Sequence, residues 1–487
     1  MRRFTPWLLV VLCAAGALTA SWALSARWWW AAGPLLALAL LGARDLLQRR
    51  RALLRNHPLV GRLGYPVREP APPAPAPRGG AEFFAPSAGP VPPPEEEPRV
   101  RVGGPDCVLP YDMALLNVSA LSFGALSARA VLALGRGAAL GRFAQDTGEG
   151  GLSDHHLRGG ADLVWEIGSG YFGCRTPDGG FEEREFADRA ALPEVKCVSL
   201  KLSQGAAPGG GGVLPGAKVS AEVARERRVV QGMTVVSPPG HRVFSTPREL
   251  VLFLARMREL AGGKPTGFKL CVRSRRQVLA VCKAMLEEGV APDFVVVDGA
   301  EGGTGAGPPG LAERPGMPLT EGLITVHNAL VGAGLRDRIR IGASGGIVTG
   351  ADIVRRLAQG ADYTNAARAM MTAVGCVGAG RCPTGACPVG VATQDPWRVW
   401  ALHVGDKARR VRHYQRATVR SAVRIMAALG VSEPGGLTPA HLLRRTDART
   451  VRSYAELYEW LEPGALTAGP PAGWAADWAA ADPDTFG

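Results

Sequence analysis

The sequence is poor in cysteine and shows no pattern of paired cysteines. Of nine cysteines in 487 residues, six lie scattered in apolar segments and are best explained as buried free thiols: Cys13, Cys107, Cys174, Cys197, Cys271 and Cys282. The other three fall within residues 376–387. A disulfide-stabilised secreted protein needs cysteine pairs. This composition therefore argues against that class, and the tight cluster fits metal binding better.

Acidic residues are outnumbered by basic ones, which leaves a formal net charge of +13. Such a charge is compatible with nucleic-acid binding. However, residues 1–60 carry eight Arg and one Asp beside apolar segments, where Arg acts as an orientation signal. We therefore predict no nucleic-acid partner. A second basic group, Arg409, Arg410 and Arg412, is either a solvated helix face or a docking patch for an acidic partner.

Two apolar runs near the N-terminus, Trp7–Leu24 and Trp28–Ala43, are each close to the shortest length that spans a bilayer. Arg residues precede the first run and follow the second, so we predict a membrane hairpin with both ends in the cytoplasm and a short external turn at Ser25–Arg27. The alternative is a cleaved signal peptide. The second run and the Arg cluster after it favour the hairpin.

We divide the chain into a hairpin (1–45), a basic and then Pro-rich linker (46–108), a main body (109–396) and a helical extension (397–487). The stretch Pro66–Pro98 is Pro-rich and predicts an extended, semi-rigid spacer. In the extension we predict helices at Val399–Leu429 and Val451–Leu461.

The main body alternates short β-branched segments with Ala-, Leu- and Arg-rich helical segments. The predicted strands are Ala114–Phe123, Arg142–Thr147, Asp162–Ile167, Val195–Leu202, Gly267–Val272, Phe294–Asp298, Ile339–Ala343 and Asp362–Asn365. The helices between them include Ser127–Leu140, Pro247–Ala261, Ser274–Glu288, Leu319–Gly332 and Thr349–Gln359. This repetition favours an α/β fold, a closed (β/α)8 TIM barrel, over a doubly wound open sheet.

Polar and Gly-rich segments follow most of the predicted strands, where the active sites of such barrels lie. The segments are SFGALS, QDTGEGG, KLSQG, DGAEGGTG, GASGG and NAAR. Because parallel strands end at the same face of a barrel, these loops predict one shared site.

These motifs resemble the FMN-binding domain of glutamate synthase over the run from Asn117 to about Asp395. The chain is most similar to stand-alone FMN-binding glutamate synthase family proteins that carry an N-terminal hydrophobic segment. The matching text is ALSFGALS, DTGEGG, KLSQG with LPGAKV, DGAEGGTGAGP, GASGGIVTGADI and CVGAGRCPTGACPVGVATQDP.

The three clustered cysteines, Cys376, Cys382 and Cys387, have the spacing C-x5-C-x4-C. Three thiolates in a short loop suit an iron–sulfur cluster. Zinc is the alternative, although it usually has four ligands and no fourth Cys or His lies nearby in the sequence. The resemblance implies a [3Fe-4S] cluster beside a flavin.

The resemblance implies an FMN site on the loops that follow the barrel strands. In such barrels the loops after the seventh and eighth strands often bind phosphate. Its residues are Ser119, Ala120, Ser122, Gln145, Lys201, Asp298, Gly302, Gly303, Gly345, Gly346, Ala366 and Arg368. The alternative for the glycines is that they only form turns. Lys201 ends an inward-facing strand, where a cation stabilises reduced, anionic flavin. Pairing of Lys201 with a carboxylate is the structural alternative.

The resemblance also implies a substrate site formed by Glu149, Gln204 and Arg227, together with Lys201. Arg227 matches an arginine that binds the 2-oxoglutarate carboxylate, although a surface position was the alternative. Two positions depart from the family pattern: Ala207 replaces a lysine and Val213 replaces a glutamine. Losing an ammonium group from a dicarboxylate site costs about 1.5–3 kcal/mol per charged hydrogen bond.

The first hypothesis is an FMN- and iron–sulfur-dependent oxidoreductase that reductively aminates 2-oxoglutarate or a related keto or imino acid. The alternative is a membrane-associated electron-transfer protein that acts on another acceptor, and a third hypothesis is a non-catalytic scaffold. No second dinucleotide-binding region is evident in the sequence, so we expect a carrier protein such as ferredoxin to supply electrons. The expected location is the cytoplasmic membrane, with the barrel on the cytoplasmic side.

Overall fold

Eight parallel strands form a closed barrel in the computed structural model, which describes residues 3–63, 82–205, 211–302 and 316–487. The strands of the described residues are β1 (Glu82–Phe84), β2 (Arg99–Val102), β3 (Tyr111–Ala114), β4 (Leu116–Val118), β5 (Gln145–Asp146), β6 (Leu163–Ile167), β7 (Val195–Lys201), β8 (Val213–Leu214), β9 (Val235–Val236), β10 (Thr266–Leu270), β11 (Phe294–Asp298), β12 (Arg340–Ser344), β13 (Tyr363–Ala366), β14 (Leu442–Arg445) and β15 (Val451–Ser453).

Helices surround this barrel and extend beyond it at both ends of the chain. They are α1 (Thr5–Ala23), α2 (Trp29–Leu47), α3 (Ala52–Asn56), α4 (Ala128–Gly141), α5 (Asp154–Leu157), α6 (Glu183–Ala190), α7 (Ala221–Arg227), α8 (Pro247–Leu260), α9 (Arg275–Glu288), α10 (Leu319–Gly332), α11 (Gly350–Ala358), α12 (Arg368–Ala373), α13 (Pro396–Trp400), α14 (Val404–Ala428), α15 (Tyr454–Leu457), α16 (Ala465–Ala468) and α17 (Ala472–Ala480).

The barrel runs in the order β4, β5, β6, β7, β10, β11, β12, β13, and β13 pairs with β4 to close it. Each of these eight strands overlaps one of the eight predicted segments. The (β/α)8 prediction is therefore confirmed, and the doubly wound open sheet is wrong because the first and last strands pair with each other.

Alternate residues of each strand face the barrel interior. Near the start of the strands the interior is apolar, with Val164, Cys197, Phe294 and Tyr363 in one cluster. The β2–β3 hairpin adds buried side chains to the same cluster and so closes this end of the barrel. The barrel interior opens into a cavity at the other end, where the strands finish.

The scattered cysteines follow the expectation only in part. Cys174, Cys197, Cys271 and Cys282 are buried, and all nine cysteines are free. Cys13 is instead exposed, because it lies on the outer surface of α1, and the loop residue Cys107 is only half-buried.

The N-terminal helices α1 and α2 pack against each other as a hairpin, and the Trp7 indole donates to the carbonyl of Ala39 at 2.9 Å. Both helices are long and apolar enough to cross a membrane, with mean hydropathies of 1.7 and 1.3. Length and composition of this kind also occur in signal sequences.

The C-terminal extension contains α13 and α14 where a helix was predicted at Val399–Leu429. The helix predicted at Val451–Leu461 is wrong over its first residues, because Val451–Ser453 forms β15 and only Tyr454–Leu457 is α-helical. Strand β15 pairs with β14, which in turn pairs with β1. The predicted spacer at 66–98 lies partly outside the described residues, and its described part supplies β1.

Candidate active site

A cavity of about 260 Å³ opens at the C-terminal ends of the barrel strands. Most of the predicted site residues line it: Ser119, Ala120, Ser122, Glu149, Lys201, Gln204, Arg227, Asp298, Gly302, Gly345, Gly346, Ala366 and Arg368. These residues are far apart in sequence and meet because parallel strands end at one face.

One predicted flavin-site residue that the structure describes, Gln145, does not line the cavity. Gln145 is buried, and its amide donates to the carbonyl of Val131 in α4 at 3.4 Å. Its neighbour Asp146 faces the barrel interior, so strand alternation turns Gln145 toward the helices. Gly303 and Ala207 lie outside the described residues.

Lys201 lies at the centre of the polar part of the cavity. Its Nζ is 3.0 Å from Glu149 Oε1 and donates to Gln204 Oε1 at 3.0 Å. Burial acts to raise the pKa of Glu149, but Lys201, Arg227 and Lys269 outweigh it and hold that pKa below its usual value. Glu149 is therefore an anion at neutral pH, held between cations.

Arg227 is buried on the cavity wall rather than on the surface. One Nη donates to the carbonyl of Phe123 at 3.0 Å, and the guanidinium lies 4.9 Å from the ring centre of Phe172. Its Nε is buried and has no hydrogen-bond partner among the residues that the structure describes. Burial lowers the pKa of Arg227 to about 10, with Glu149 opposing the shift. A buried cation with an unused donor fits an anionic ligand.

A layer of charged side chains beneath Lys201 was not identified from the sequence. Lys269 Nζ lies 3.6 Å from Glu166 Oε2, and both oxygens of Glu166 are buried with no hydrogen-bond partner in the described part of the chain. Burial and the nearby Glu166 raise the pKa of Asp146 well above its usual value, against the effect of Lys269. Strand alternation was the available signal, because Lys269 and Lys201 occupy paired positions on β10 and β7.

The late loops form a compact wall on another side of the cavity. The hydroxyls of Ser119 and Ser344 lie 3.2 Å apart. Gly345 and Gly346 follow Ser344 with φ angles of 125° and 67°, which residues other than glycine rarely adopt. At Gly346 an added Cβ would meet only open space, so the backbone here is exposed to the cavity.

The loop that carries Cys376, Cys382 and Cys387 (residues 376–391), here called the cysteine loop, packs against the same cavity. Cys382 and Pro383 are among the lining residues. Lys218, which is 4% exposed, donates to the carbonyls of Ala125 at 2.6 Å and Cys382 at 3.3 Å. Burial lowers the pKa of Lys218 to about 8, and Cys382 and Cys387 oppose the shift.

Within the described part of the chain, no three Cys, His, Asp or Glu side chains converge closely enough to hold a single metal ion. The donor set still fits a larger group, since three unpaired thiols share one loop beside a buried cation. Lys218 would balance the negative charge of a thiolate-bound cluster.

Comparison with known proteins identifies the family of this barrel. The family model described as the conserved region in glutamate synthase matches residues 112–432. The chain belongs to the glutamate synthase family. The resemblance stated from the motifs is thereby confirmed at the level of the family.

Two curated relatives illustrate the extent of the family match. The chain is 41% identical to the glutamate synthase large subunit-like protein YerD of Bacillus subtilis, over 71% of this chain and 66% of that protein. It is 32% identical to the archaeal glutamate synthase [NADPH] of Methanocaldococcus jannaschii, over 65% of this chain and 59% of the relative. The chain therefore matches less than two thirds of either family member.

A third relative is much longer than the region it shares with this chain. The ferredoxin-dependent glutamate synthase of Antithamnion sp. is 33% identical over 51% of this chain and 16% of its own length. The shared family region is thus one part of a larger protein in that case.

Proposed function

We propose that the protein is a membrane-anchored oxidoreductase of the glutamate synthase type, which binds FMN in the barrel cavity and a [3Fe-4S] cluster on Cys376, Cys382 and Cys387. Its reaction would be the reductive amination of 2-oxoglutarate or a related keto or imino acid. The observation that carries this proposal is the meeting of Lys201, Glu149, Gln204 and Arg227 at one cavity of a family barrel.

The fit to FMN rests on both walls of the cavity. The loop with Gly345 and Gly346 offers exposed backbone for a phosphate, and the hydroxyls of Ser119 and Ser344 lie beside it. FMN, when bound, supplies the reducing equivalents for the reaction. Lys201 would hold negative charge on the reduced ring, and its pairing with Glu149 fixes the ammonium group in place.

Arg227 and Gln204 would bind and orient the acid substrate. Arg227 has a buried donor that none of the described residues uses, and a carboxylate satisfies such a donor strongly. Glu149 would orient an amine or ammonium group, because its pKa is held low and it stays charged.

The cysteine loop would carry electrons to the cavity that it lines. An iron–sulfur cluster, when bound, supplies single electrons, and Lys218 would neutralise part of its charge. One relative is named as ferredoxin-dependent, and a small acidic carrier of that kind is the donor that we propose.

A second candidate function is electron transfer to a different acceptor. Val213 lines the cavity with 41% of its surface exposed, at a position where the family carries a glutamine. An apolar wall there favours a less polar acceptor than a dicarboxylate.

Flavin reoxidation tests the proposal. The full chain is purified anaerobically in detergent, reduced with dithionite and freed of excess reductant, and then mixed with 2-oxoglutarate and ammonium. Return of the oxidised flavin band together with glutamate would support the synthase. A flavin that stays reduced would refute the glutamate reaction and favour the second candidate. Absence of any flavin band would overturn the cofactor proposal.

Arg227→Gln and Arg225→Gln provide a matched pair for this assay, since Arg225 is exposed on the same helix. We expect the first variant to raise the apparent KM for the keto acid by roughly 10- to 100-fold, as the loss of a charged hydrogen bond implies. The second variant should behave as the parent protein.

A further inference from the structure

The segment that follows the hairpin is bound directly to the backbone of the cysteine loop. Asn56, at the end of α3, is 1% exposed and donates to the carbonyls of Pro388 at 2.9 Å and Arg398 at 3.1 Å. Arg398 in turn donates to the carbonyl of Cys387 at 3.3 Å. The base of the hairpin and the last cysteine of the loop are therefore parts of one hydrogen-bonded unit.

A second set of contacts joins the same segment to α13 and α14. Arg55 donates to the carbonyl of Ala401 at 2.9 Å, and its guanidinium lies 4.2 Å from the ring centre of Trp400. Lys407 of α14 donates to the carbonyl of Arg50. These contacts fix α13 beside the end of the hairpin where α2 finishes.

Helix α13 exposes large aromatic side chains at this position. Trp397 is 70% exposed and Trp400 is 47% exposed. The exposed residues Arg49–Arg51 are joined to α14, which follows α13, through the bond from Lys407 to the Arg50 carbonyl. Arg3 lies 4.0 Å from Asp395, which caps α13. Exposed tryptophans among arginines, at the end of an apolar hairpin, are typical of a membrane–water interface.

We infer that this face, formed by α13 and Arg49–Arg51, lies in the headgroup layer of an anionic phospholipid bilayer and holds the cysteine loop at the membrane surface. The inference rests on the proposed membrane anchor, and it adds that the soluble body itself docks on the lipid. A donor protein would then reach the cysteine loop along the membrane surface.

Three features favour lipid over a protein partner for this face. The face is continuous with the proposed membrane hairpin, because only Gln48 separates the end of α2 from Arg49–Arg51. Arginines attract anionic headgroups. Tryptophan has an apolar ring and one polar group, which suits it to the boundary between acyl chains and water. The face formed by α13 and Arg49–Arg51 thus matches the chemistry of a bilayer surface.

Fluorescence quenching by brominated lipid tests this inference. The full chain is placed in nanodiscs of phosphatidylcholine and phosphatidylglycerol, with acyl chains either plain or brominated near the headgroup. Trp397→Phe and the double variant Trp397→Phe/Trp400→Phe are compared with Trp478→Phe, which alters a half-buried ring on α17. The single variant guards against a local packing change, because Trp400 contacts Arg55.

We expect the fluorescence removed by the Trp397 variants to be mostly quenchable by brominated lipid, and that removed by Trp478→Phe to be unquenched. If the Trp397 variants remove only unquenchable fluorescence while the hairpin tryptophans remain quenched, the docking inference is overturned and the face is free for a soluble protein. If brominated lipid quenches nothing in any variant, the anchor itself is also wrong. Neither outcome depends on whether FMN binds or turns over.

Discussion

At the scale of single residues, the pairing of Lys201 with a carboxylate is compatible with the flavin role that we propose for it. The lysine was expected either to stabilise reduced flavin or to pair with a carboxylate. In the structure it pairs with Glu149 at 3.0 Å and also lines the cavity. A buried ion pair contributes little net stability. We therefore assign its value to the fixed placement of charge in the site.

Replacing Lys201 with Met should lower the midpoint potential of the bound flavin. The reduced, anionic ring would lose a nearby cation, an interaction worth roughly 1.5–3 kcal/mol, or about 30–60 mV for a two-electron couple. Lys196→Met is the control, because Lys196 lies on the same strand and is only half-buried. Anaerobic redox titration measures both. An unchanged potential in Lys201→Met would exclude this role for the lysine.

At the scale of elements, the barrel could be predicted because each unit is encoded locally. Alternating segments predicted all eight strands, and Ser or Thr caps mark the starts of α4, α8, α9 and α11 as the structure shows them. Features set by distant pairing could not be read in this way. β15 depends on β14 and β1, which come from opposite ends of the chain.

The polar interior of the site illustrates the same limit. The motifs identified residues on loops, where glycine and polar residues stand out. They missed Lys269 and Glu166, whose importance comes from their contact inside the barrel, between β10 and β6. Gln145 was assigned to the cavity from its motif, and only strand alternation shows that it faces α4. Identifying the positions of each predicted strand that face the barrel interior would have placed Lys269, Glu166 and Gln145 correctly.

The connection between α3 and the cysteine loop predicts that Asn56→Ala loosens this loop. Two buried carbonyls, those of Pro388 and Arg398, would lose their donor, at a cost of about 1–3 kcal/mol for unsatisfied buried groups. We expect backbone amides between Ala386 and Val391 to exchange hydrogen faster, by roughly tenfold. Mass spectrometry of hydrogen exchange measures this.

Gln48→Ala is the matched control for Asn56→Ala. Among the described residues, the Gln48 amide donates to the backbone of its own segment, at Asp45 and Arg51. Exchange in the cysteine loop should not change in this variant. Equal acceleration in both variants would contradict a specific role for Asn56.

The contact of α10 with the C-terminal extension predicts sensitivity to acid. Burial lowers the pKa of His327 to about 4, and the charge of Arg336 lowers it further. The His327 ring packs edge-on against Trp460 of the extension. Below its unfolded pKa of about 6.5, the unfolded chain binds a proton that the folded protein does not, so stability falls as the pH drops from 6.5 toward 4.

His327→Gln should therefore lose less stability than the parent protein between pH 7 and pH 5, by about 1–2 kcal/mol. Thermal unfolding in detergent at both pH values measures the difference. His413→Gln, at an exposed site on α14, should retain the pH dependence of the parent. If His327→Gln loses stability as steeply as the parent, the histidine is already protonated in the folded state.

At the scale of the whole molecule, the fold brings the cavity and the cysteine loop to one end of the barrel. The β2–β3 hairpin closes the start of the barrel, and the cavity, the cysteine loop and the base of the N-terminal hairpin all lie toward the other end or beside it. A membrane protein with this arrangement exposes its active site in the compartment that contains the ends of the hairpin. Orientation in the membrane therefore decides which substrates and donors the site can meet.

The arginines around the hairpin predict that the barrel faces the cytoplasm. In inverted vesicles from a bacterial host, added protease should digest the barrel, whereas in intact spheroplasts the barrel should be protected. A cleaved signal peptide would instead give a shorter chain on the outer side.

Changing Arg49, Arg50 and Arg51 to Glu should increase the fraction of protected barrel in inverted vesicles. The same charge change at Arg409, Arg410 and Arg412, far along the chain on α14, should leave orientation unaltered. Equal effects of the two triple variants would mean that overall charge, rather than charge beside the hairpin, sets the topology.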